Sequence, residues 1–329
     1  MKALVAQRLA GLDALVLDEV AAPKPGTGEV LIGIGAVGLN LADVAALSGE
    51  RHPRPDLPFT PGLEVAGLVA AIGPDVSGLQ PGDRVAAFLD WGGLAEGAVA
   101  RADLCARLPD GMAFSTAAGL PFTYAGAVIA LRERARLAPG ETVLVLGAGG
   151  HAGLAAIDIS KKLGARVIAV ASGESRGSEA AEHGADEIID SSARPLSESV
   201  TALTGSAGVN LIYDPVGGDA FEMSLLTLAS GGRVISAGFA GGRIPRVNLP
   251  ALHARDAVLI AANTPLTVQA HPAQALAALE DAIAWTVEGA IAPRIAAQFP
   301  LSDAKAALDY VKSRRNTGAV IVTAGSESL

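Results

Sequence analysis

Short apolar runs broken by glycine and proline fill the chain from Met1 to about Leu120. EVLIGIGAVGLN, LEVAGLVAAIG and GDRVAAFL are the clearest, with turns at PGTG, GLQPGD and LPDG. Runs of this length between turn formers predict a small β-barrel-like domain. From Thr142 the rhythm becomes strand, helix, strand: TVLVLGA is apolar, HAGLAAIDISKKLGA is helical in pattern, RVIAVAS is a second apolar run, and SEAAEHGA is a short helix before DEIID. VNLIYDPV, GGRVISAG and AVLIAAN add three more buried strands. Such alternation predicts a parallel sheet with helices on both faces. The segment from Ala273 to Glu288 is helical, and PRIAAQFPLSDAKAALDYVKS followed by GAVIVT adds a strand, a helix and a strand that rejoin the first domain.

The turn after TVLVL carries the chemistry. Gly147, Ala148, Gly149, Gly150, His151, Ala152 and Gly153 lead from an apolar strand into a helix. Missing side chains let the backbone approach a pyrophosphate, and free N–H groups at the helix N-terminus hold its charge. A tight turn selected only for packing would give the same glycines, but the flanking strands favour a dinucleotide. Where the second strand ends, an NAD-binding chain carries a carboxylate for the ribose hydroxyls. Here Ser172 and Gly173 follow, then Arg176: a hydroxyl and a guanidinium suited to a 2′-phosphate, which favours NADPH. Glu174 between them opposes this, and an ordinary solvated loop is the alternative.

Composition narrows the picture further. Half of the 329 residues are hydrophobic and 18% are charged, outside the range of disordered chains. Acidic residues outnumber basic ones 34 to 25, a net charge of −9, so neither nucleic acid nor a membrane surface is an expected partner. Arg8 and Asp13 interrupt any signal-peptide core, and a cytoplasmic location is expected. One cysteine, Cys105, precludes an internal disulfide, and the five histidines show no paired ligand spacing, so no metal is expected.

Over nearly its whole length the chain resembles the NADPH:quinone oxidoreductases, the zinc-free branch of the medium-chain dehydrogenase/reductase family. The runs VGLNLADVAALSGERHPRPDLPFTPGLEVAGLV, GDRVAAF, GGLAE, LPDG, PGETVLVLGA and GVNLIYDPVGGDAFEMSLLTLASGGRVISAGFAGGRIP occur in the family's order. The resemblance implies an α/β protein: a GroES-like β-barrel catalytic domain over 1–122 and 262–329, with a Rossmann doubly wound parallel-sheet NADPH domain over 123–261 inserted. Zinc-dependent relatives have Gly-His-Glu where this chain has Gly62, Leu63 and Glu64, so the expected acceptors are a quinone or an α,β-unsaturated carbonyl, whose charge is delocalised onto oxygen without a Lewis acid.

The resemblance also implies site residues. Asn40, Asp43 and Tyr124 match polar or aromatic positions beside the nicotinamide. Asn40 donates to the substrate oxygen or the nicotinamide carboxamide, Asp43 is mainly structural, and Tyr124 is either a phenol donor or a core aromatic. The cofactor set is Asn40, Gly126, Gly147, Gly149, Gly150, His151, Ala152, Gly153, Ser172, Gly173, Arg176, Ser191, Gly217, Gly238, Phe239 and Asn316. Three positions depart from the family: Gly126 replaces a usual Thr, His151 a usual Gly and Ser191 a frequent Tyr. A homodimer through residues 257–263 is expected, because Val258, Leu259 and Ile260 make an apolar edge strand. An enoyl-thioester reductase, with Arg51 and Arg54 receiving a coenzyme A phosphate, and a non-catalytic NADPH-binding stress protein are the alternatives.

Overall fold

The computed structural model describes residues 1–51 and 54–325. The chain divides into two compact units, one of 1–125, 265–287 and 293–329, the other of 126–264 and 288–292.

The first unit is built on one long strand, Glu29–Leu39. Along one side it pairs antiparallel with Glu64–Ile72. Along the other it pairs with Gly97–Arg101 at residues 29–33 and with Ala319–Thr323 at residues 36–39. Strands Arg84–Phe88 and Cys105–Arg107 extend the sheet one way and Ile295–Pro300 the other. A strand this long must change partners to stay paired as a sheet curls, and the register shifts opposite Glu64–Ile72 mark where it bends. Ile32, Ile34, Leu47, Val65 and Leu94 are all fully buried in its core. Helix Pro272–Val287, strand Ile295–Pro300, helix Ala304–Lys312 and strand Ala319–Thr323 belong to this unit.

The second unit holds a six-stranded, wholly parallel sheet in the order 187–190, 166–171, 142–146, 209–214, 228–236, 258–261. Counted along the chain this is 3-2-1-4-5-6, the doubly wound arrangement. Strand Thr142–Leu146 is buried from Val143 onward, because helices cover both faces and a parallel strand then has no polar side to alternate with. Leu144, Ile168, Ile212 and Phe221 form the core.

Two details depart from the sequence reading. Strand Val258–Ala261 is the sheet edge, and Val258 and Leu259 are exposed, but Ile260 is buried at 8%. Alternation puts Ile260 on the face opposite Leu259, where it packs inward, so it is not part of the exposed apolar edge; Val258 shares the Ile260 face but lies exposed at the start of the strand. The segment Phe114–Arg134 is one largely buried helix, long and apolar enough to cross a membrane by length and composition alone. Its turns widen at Leu120–Ala125 and Ile129–Arg134. Pro121 removes one helical N–H, and the local backbone takes wider spacing.

Candidate active site

In the first unit a buried polar network forms around Glu64. The strand Glu64–Ile72 begins at this residue, and its carboxylate is completely buried. Oε1 accepts from Asn40 Nδ2 at 2.7 Å, and Oε2 accepts from the Phe122 backbone N–H at 2.7 Å. The Phe122 N–H is available because the helix is irregular beside Pro121. Gly38 makes room for the arrangement: a Cβ there would lie 2.3 Å from the Ala118 carbonyl and 2.6 Å from Glu64 Oε1. Thr123 Oγ1 donates to Asn40 Oδ1 at 3.2 Å, so both ends of the Asn40 amide are held.

Asp43 fixes the backbone of the same site. Its Oδ2 accepts from Asn40 N at 2.8 Å, the reach-back half of a capping box on helix Leu41–Leu47, and Oδ1 accepts from Gly62 N at 3.0 Å. It therefore ties the segment entering the helix to the turn that precedes Glu64. Burial pushes the Glu64 carboxyl up to about 8, opposed by its two hydrogen bonds and reinforced by the nearby Asp43 charge. Burial also raises Asp43 to about 6, with the Asn40 N–H and the Arg51 charge opposing. At neutral pH Glu64 is mostly a neutral acid and Asp43 mostly a carboxylate. Tyr124 is completely buried. Asn316, also in this unit, donates from Nδ2 to Gly318 O at 2.8 Å ahead of the last strand.

The second unit brings the phosphate-binding set together. Gly147 has φ +59° and turns the chain off strand Thr142–Leu146. Helix His151–Lys162 opens directly after Gly150, with Ala152 in its first turn. A Cβ at Gly153 would lie 2.3 Å from Gly147 O, so only glycine lets the helix pack this close to the turn. A Cβ at Gly149 would meet Arg176 Cβ at 2.5 Å, which places Arg176 against the turn. Arg176 Nη1 donates to Ser172 Oγ at 3.0 Å. Gly173, with φ +79°, lets the chain reverse between Ser172 and helix Glu174–Glu182. Ser191 lies beside the end of that strand, its N–H donating to Ala171 O at 2.9 Å.

Beyond the fourth strand, Asp214 Oδ1 accepts from Val216 N and Gly217 N, shaping the turn. A Cβ on Gly217 would touch Phe239 Cδ1 at 3.2 Å, and one on Gly238 would approach Pro215 O at 3.1 Å, so Gly217, Gly238 and Phe239 form one cluster. A Cβ on Gly126 would lie 2.7 Å from Thr264 Oγ1: the Thr264 hydroxyl fills the space that a side chain at 126 needs. The glycine turn, the open Gly150 and the paired Arg176 and Ser172 suit a dinucleotide with a 2′-phosphate. Among the described residues, no group of three or more His, Cys, Asp or Glu side chains is arranged to hold a metal ion.

Residues 26–110 match the alcohol dehydrogenase GroES-like domain, and residues 152–279 match the family described as zinc-binding dehydrogenase. Over 310 residues the chain is 36% identical to a quinone oxidoreductase-like protein 2 of Bos taurus, covering 94% of this chain and 89% of that one. It is 33% identical to a quinone oxidoreductase of Pseudomonas aeruginosa, covering 95% and 96%. The chain belongs to the quinone oxidoreductase family of medium-chain dehydrogenases/reductases. Solved structures of the family agree. The Escherichia coli quinone oxidoreductase, determined with NADPH, superposes with a TM-score of 0.92 at 27% identity, covering 98% of this chain and all of that one. A mycobacterial relative, also determined with NADPH, gives 0.91 at 30% over 98% of this chain and all of that one.

Within this quinone oxidoreductase-family fold, Glu64 and Thr123 join the Asn40 network of the first unit, and Asp214 shapes the Gly217 turn of the second, although the sequence assigns them no role. The available signal for Glu64 is an acidic residue at the head of an apolar run, EVAGLVAAI, where a charge has no solvent-facing reason to stand. Nothing local marks Thr123, because its partner Asn40 is 83 positions away in sequence.

Proposed function

We propose that this member of the quinone oxidoreductase family binds NADPH and reduces a quinone or an α,β-unsaturated carbonyl by hydride transfer without zinc. The observation that carries this reading is the glycine turn at 147–153 with Arg176 packed against it and hydrogen-bonded to Ser172. Backbone N–H groups at the start of helix His151–Lys162 hold the pyrophosphate, and Arg176 with Ser172 holds the 2′-phosphate. When bound, NADPH supplies the hydride.

Asn40 is the donor to the acceptor oxygen. One Nδ2 proton is committed to Glu64 and the second serves the substrate, while Glu64 and Thr123 fix the amide plane in advance. Asp43 is a positioning residue that acts through the Asn40 backbone. Tyr124 is core material of its helix, and the proton that completes the reduction comes from solvent. Gly62 and Leu63 offer no ligand side chain, and both Glu64 oxygens are engaged by N–H donors, which supports zinc-free chemistry. Exposed Val258 and Leu259 on the open sheet edge support a homodimer through 257–263.

The test is NADPH oxidation with a panel of quinones and enones after exhaustive chelation, alongside elemental analysis. Turnover by metal-free protein is expected. Stoichiometric zinc in active protein would overturn the zinc-free reading, and tight NADPH binding without turnover of any acceptor would make the protein a non-catalytic binder.

A further inference from the structure

Arg51, whose charge acts on Asp43, takes no part in the network around Glu64. Its guanidinium lies over the Trp91 ring, 4.2 Å from the centroid, and Trp91 is braced edge-on by Phe59 at 5.4 Å. The side chain is half-buried, and Nη1 is buried with no hydrogen-bond partner. Burial lowers the Arg51 pKa, while the charges of Asp43 and Asp90 raise it. Neither acid satisfies the buried nitrogen. Asp43 spends its oxygens on Asn40 N and Gly62 N, and Asp90 Oδ1 accepts from Gln269 Nε2 at 3.2 Å.

Arg54 is engaged differently: its Nε donates to Gly49 O at 3.1 Å. Stacking on Trp91 covers one face of the guanidinium and holds its planar N–H fork, whose geometry matches two anionic oxygens, in a fixed place. A buried donor without a partner is costly unless a ligand supplies the acceptor. Asp43 links this fork to the reacting centre, because it feels the Arg51 charge and holds the Asn40 backbone.

We propose that Arg51, laid on Trp91, is a specificity-determining residue that receives an anionic oxygen group of the acceptor. The inference rests on the reductase reading above and narrows its substrate class. The group comes from one of two sources: a carboxylate on a small conjugated carbonyl, or a phosphate of a coenzyme A thioester. With the first, 4-oxopent-2-enoate takes a hydride at the carbon β to its ketone and a solvent proton at the α carbon. 4-Oxopentanoate and NADP⁺ are the products.

The experiment compares kcat/KM for 4-oxopent-2-enoate with its methyl ester, and for crotonyl-CoA with crotonyl-N-acetylcysteamine, in the native protein, Arg51→Gln and Arg51→Lys. Ratios within each protein remove any general loss of activity. The native protein is expected to prefer one anionic member about ten- to a hundredfold, the range for a charged hydrogen-bond partner. Arg51→Gln should abolish that ratio and Arg51→Lys should retain part of it. Whichever pair responds identifies the source. If neither ratio changes in Arg51→Gln, the proposal is overturned.

A binding measurement keeps this outcome separate from failure of the reductase reading. In a Trp285→Phe background Trp91 is the remaining tryptophan. For the carboxylate source, titration with 4-oxopentanoate, without any NADPH, should shift Trp91 emission saturably, with no response to the methyl ester or in Arg51→Gln. For the phosphate source, coenzyme A should give that response and N-acetylcysteamine none. Equal responses to the charged and neutral members of both pairs, or responses that survive in Arg51→Gln, would refute the assignment whether or not the protein turns over.

Discussion

Replacing Glu64 with Gln should change how the stability of the first unit depends on pH. Burial raises the Glu64 carboxyl from 4.5 to about 8, so the folded protein holds a proton that the unfolded chain releases. A carboxyl raised in this way contributes its full stability below pH 4.5. That contribution is lost as pH rises through the folded value near 8. The difference corresponds to at most roughly 5 kcal/mol between pH 4.5 and 9. Asp43, raised from 3.8 to about 6, adds a loss of at most roughly 3 kcal/mol, complete by about pH 7. Glutamine has no proton to lose, so Glu64→Gln should remove the larger and more alkaline component.

The substitution can be accommodated. The Gln oxygen accepts from Phe122 N–H, and the Asn40 amide turns over to accept from the Gln nitrogen. The Thr123 hydroxyl, now donating to Asn40 Oδ1, then accepts from Asn40 Nδ2. A cost of about 1 kcal/mol or less is expected at pH 5. The assay is urea unfolding between pH 5 and 9 followed by tryptophan fluorescence. Both tryptophans, Trp91 and Trp285, lie in the first unit and report on it directly. Between pH 5 and 9 the native protein should lose up to roughly 4 kcal/mol more than the variant, most of it below pH 8, to the point that the variant is the more stable at pH 9. Parallel curves, within about 1 kcal/mol of each other, would refute the assignment of a buried neutral acid at position 64.

Arg176→Ala should weaken NADPH by about 1–3 kcal/mol and leave NADH nearly unchanged by calorimetry, since only NADPH carries the 2′-phosphate. Equal losses would remove Arg176 from that site. Asn40→Ala should lower kcat roughly ten- to a thousandfold with NADPH dissociation little changed, because its donor meets charge that grows toward the transition state. Full kcat with lost NADPH affinity would make Asn40 a cofactor anchor. Gly153→Ala puts a Cβ 2.3 Å from Gly147 O, so the turn must move, and NADPH affinity should fall at least about tenfold. Unchanged affinity would show that the turn has slack. Leu259→Glu should convert a dimeric mass to a monomeric one in sedimentation, and a native protein already monomeric at micromolar concentration would contradict the edge-strand dimer.

The second unit was the more legible from sequence because its signals are local. A parallel strand covered on both faces reads as a continuous apolar run, and the glycine turn stands beside the strand and helix that use it. The division at 125/126 falls inside helix Phe114–Arg134, where no capping residue or polar break in the run LPFTYAGAVIA marks a boundary. The Glu64 network was hidden for a different reason. Glu64 is 24 positions from Asn40 and 58 from Phe122, and only the folded backbone brings an acidic side chain, an amide and a helix-interior N–H to one point. Ile260 shows the limit of apolar composition as a guide: it shares a run with Leu259, yet the two face opposite sides of the strand. Gly126 is a loss in sequence terms, while the fold fills its space from Thr264, 138 positions later.

The most direct test of hydride transfer from NADPH uses cofactor deuterated at both C4 positions, with a conjugated ketone and chelator-treated protein. Mass spectrometry and NMR of the product should find one deuterium at the carbon β to the carbonyl and a solvent proton at the α carbon. A reduced product without deuterium at the β carbon, or no reduction of any conjugated acceptor while NADPH remains bound, would contradict the account.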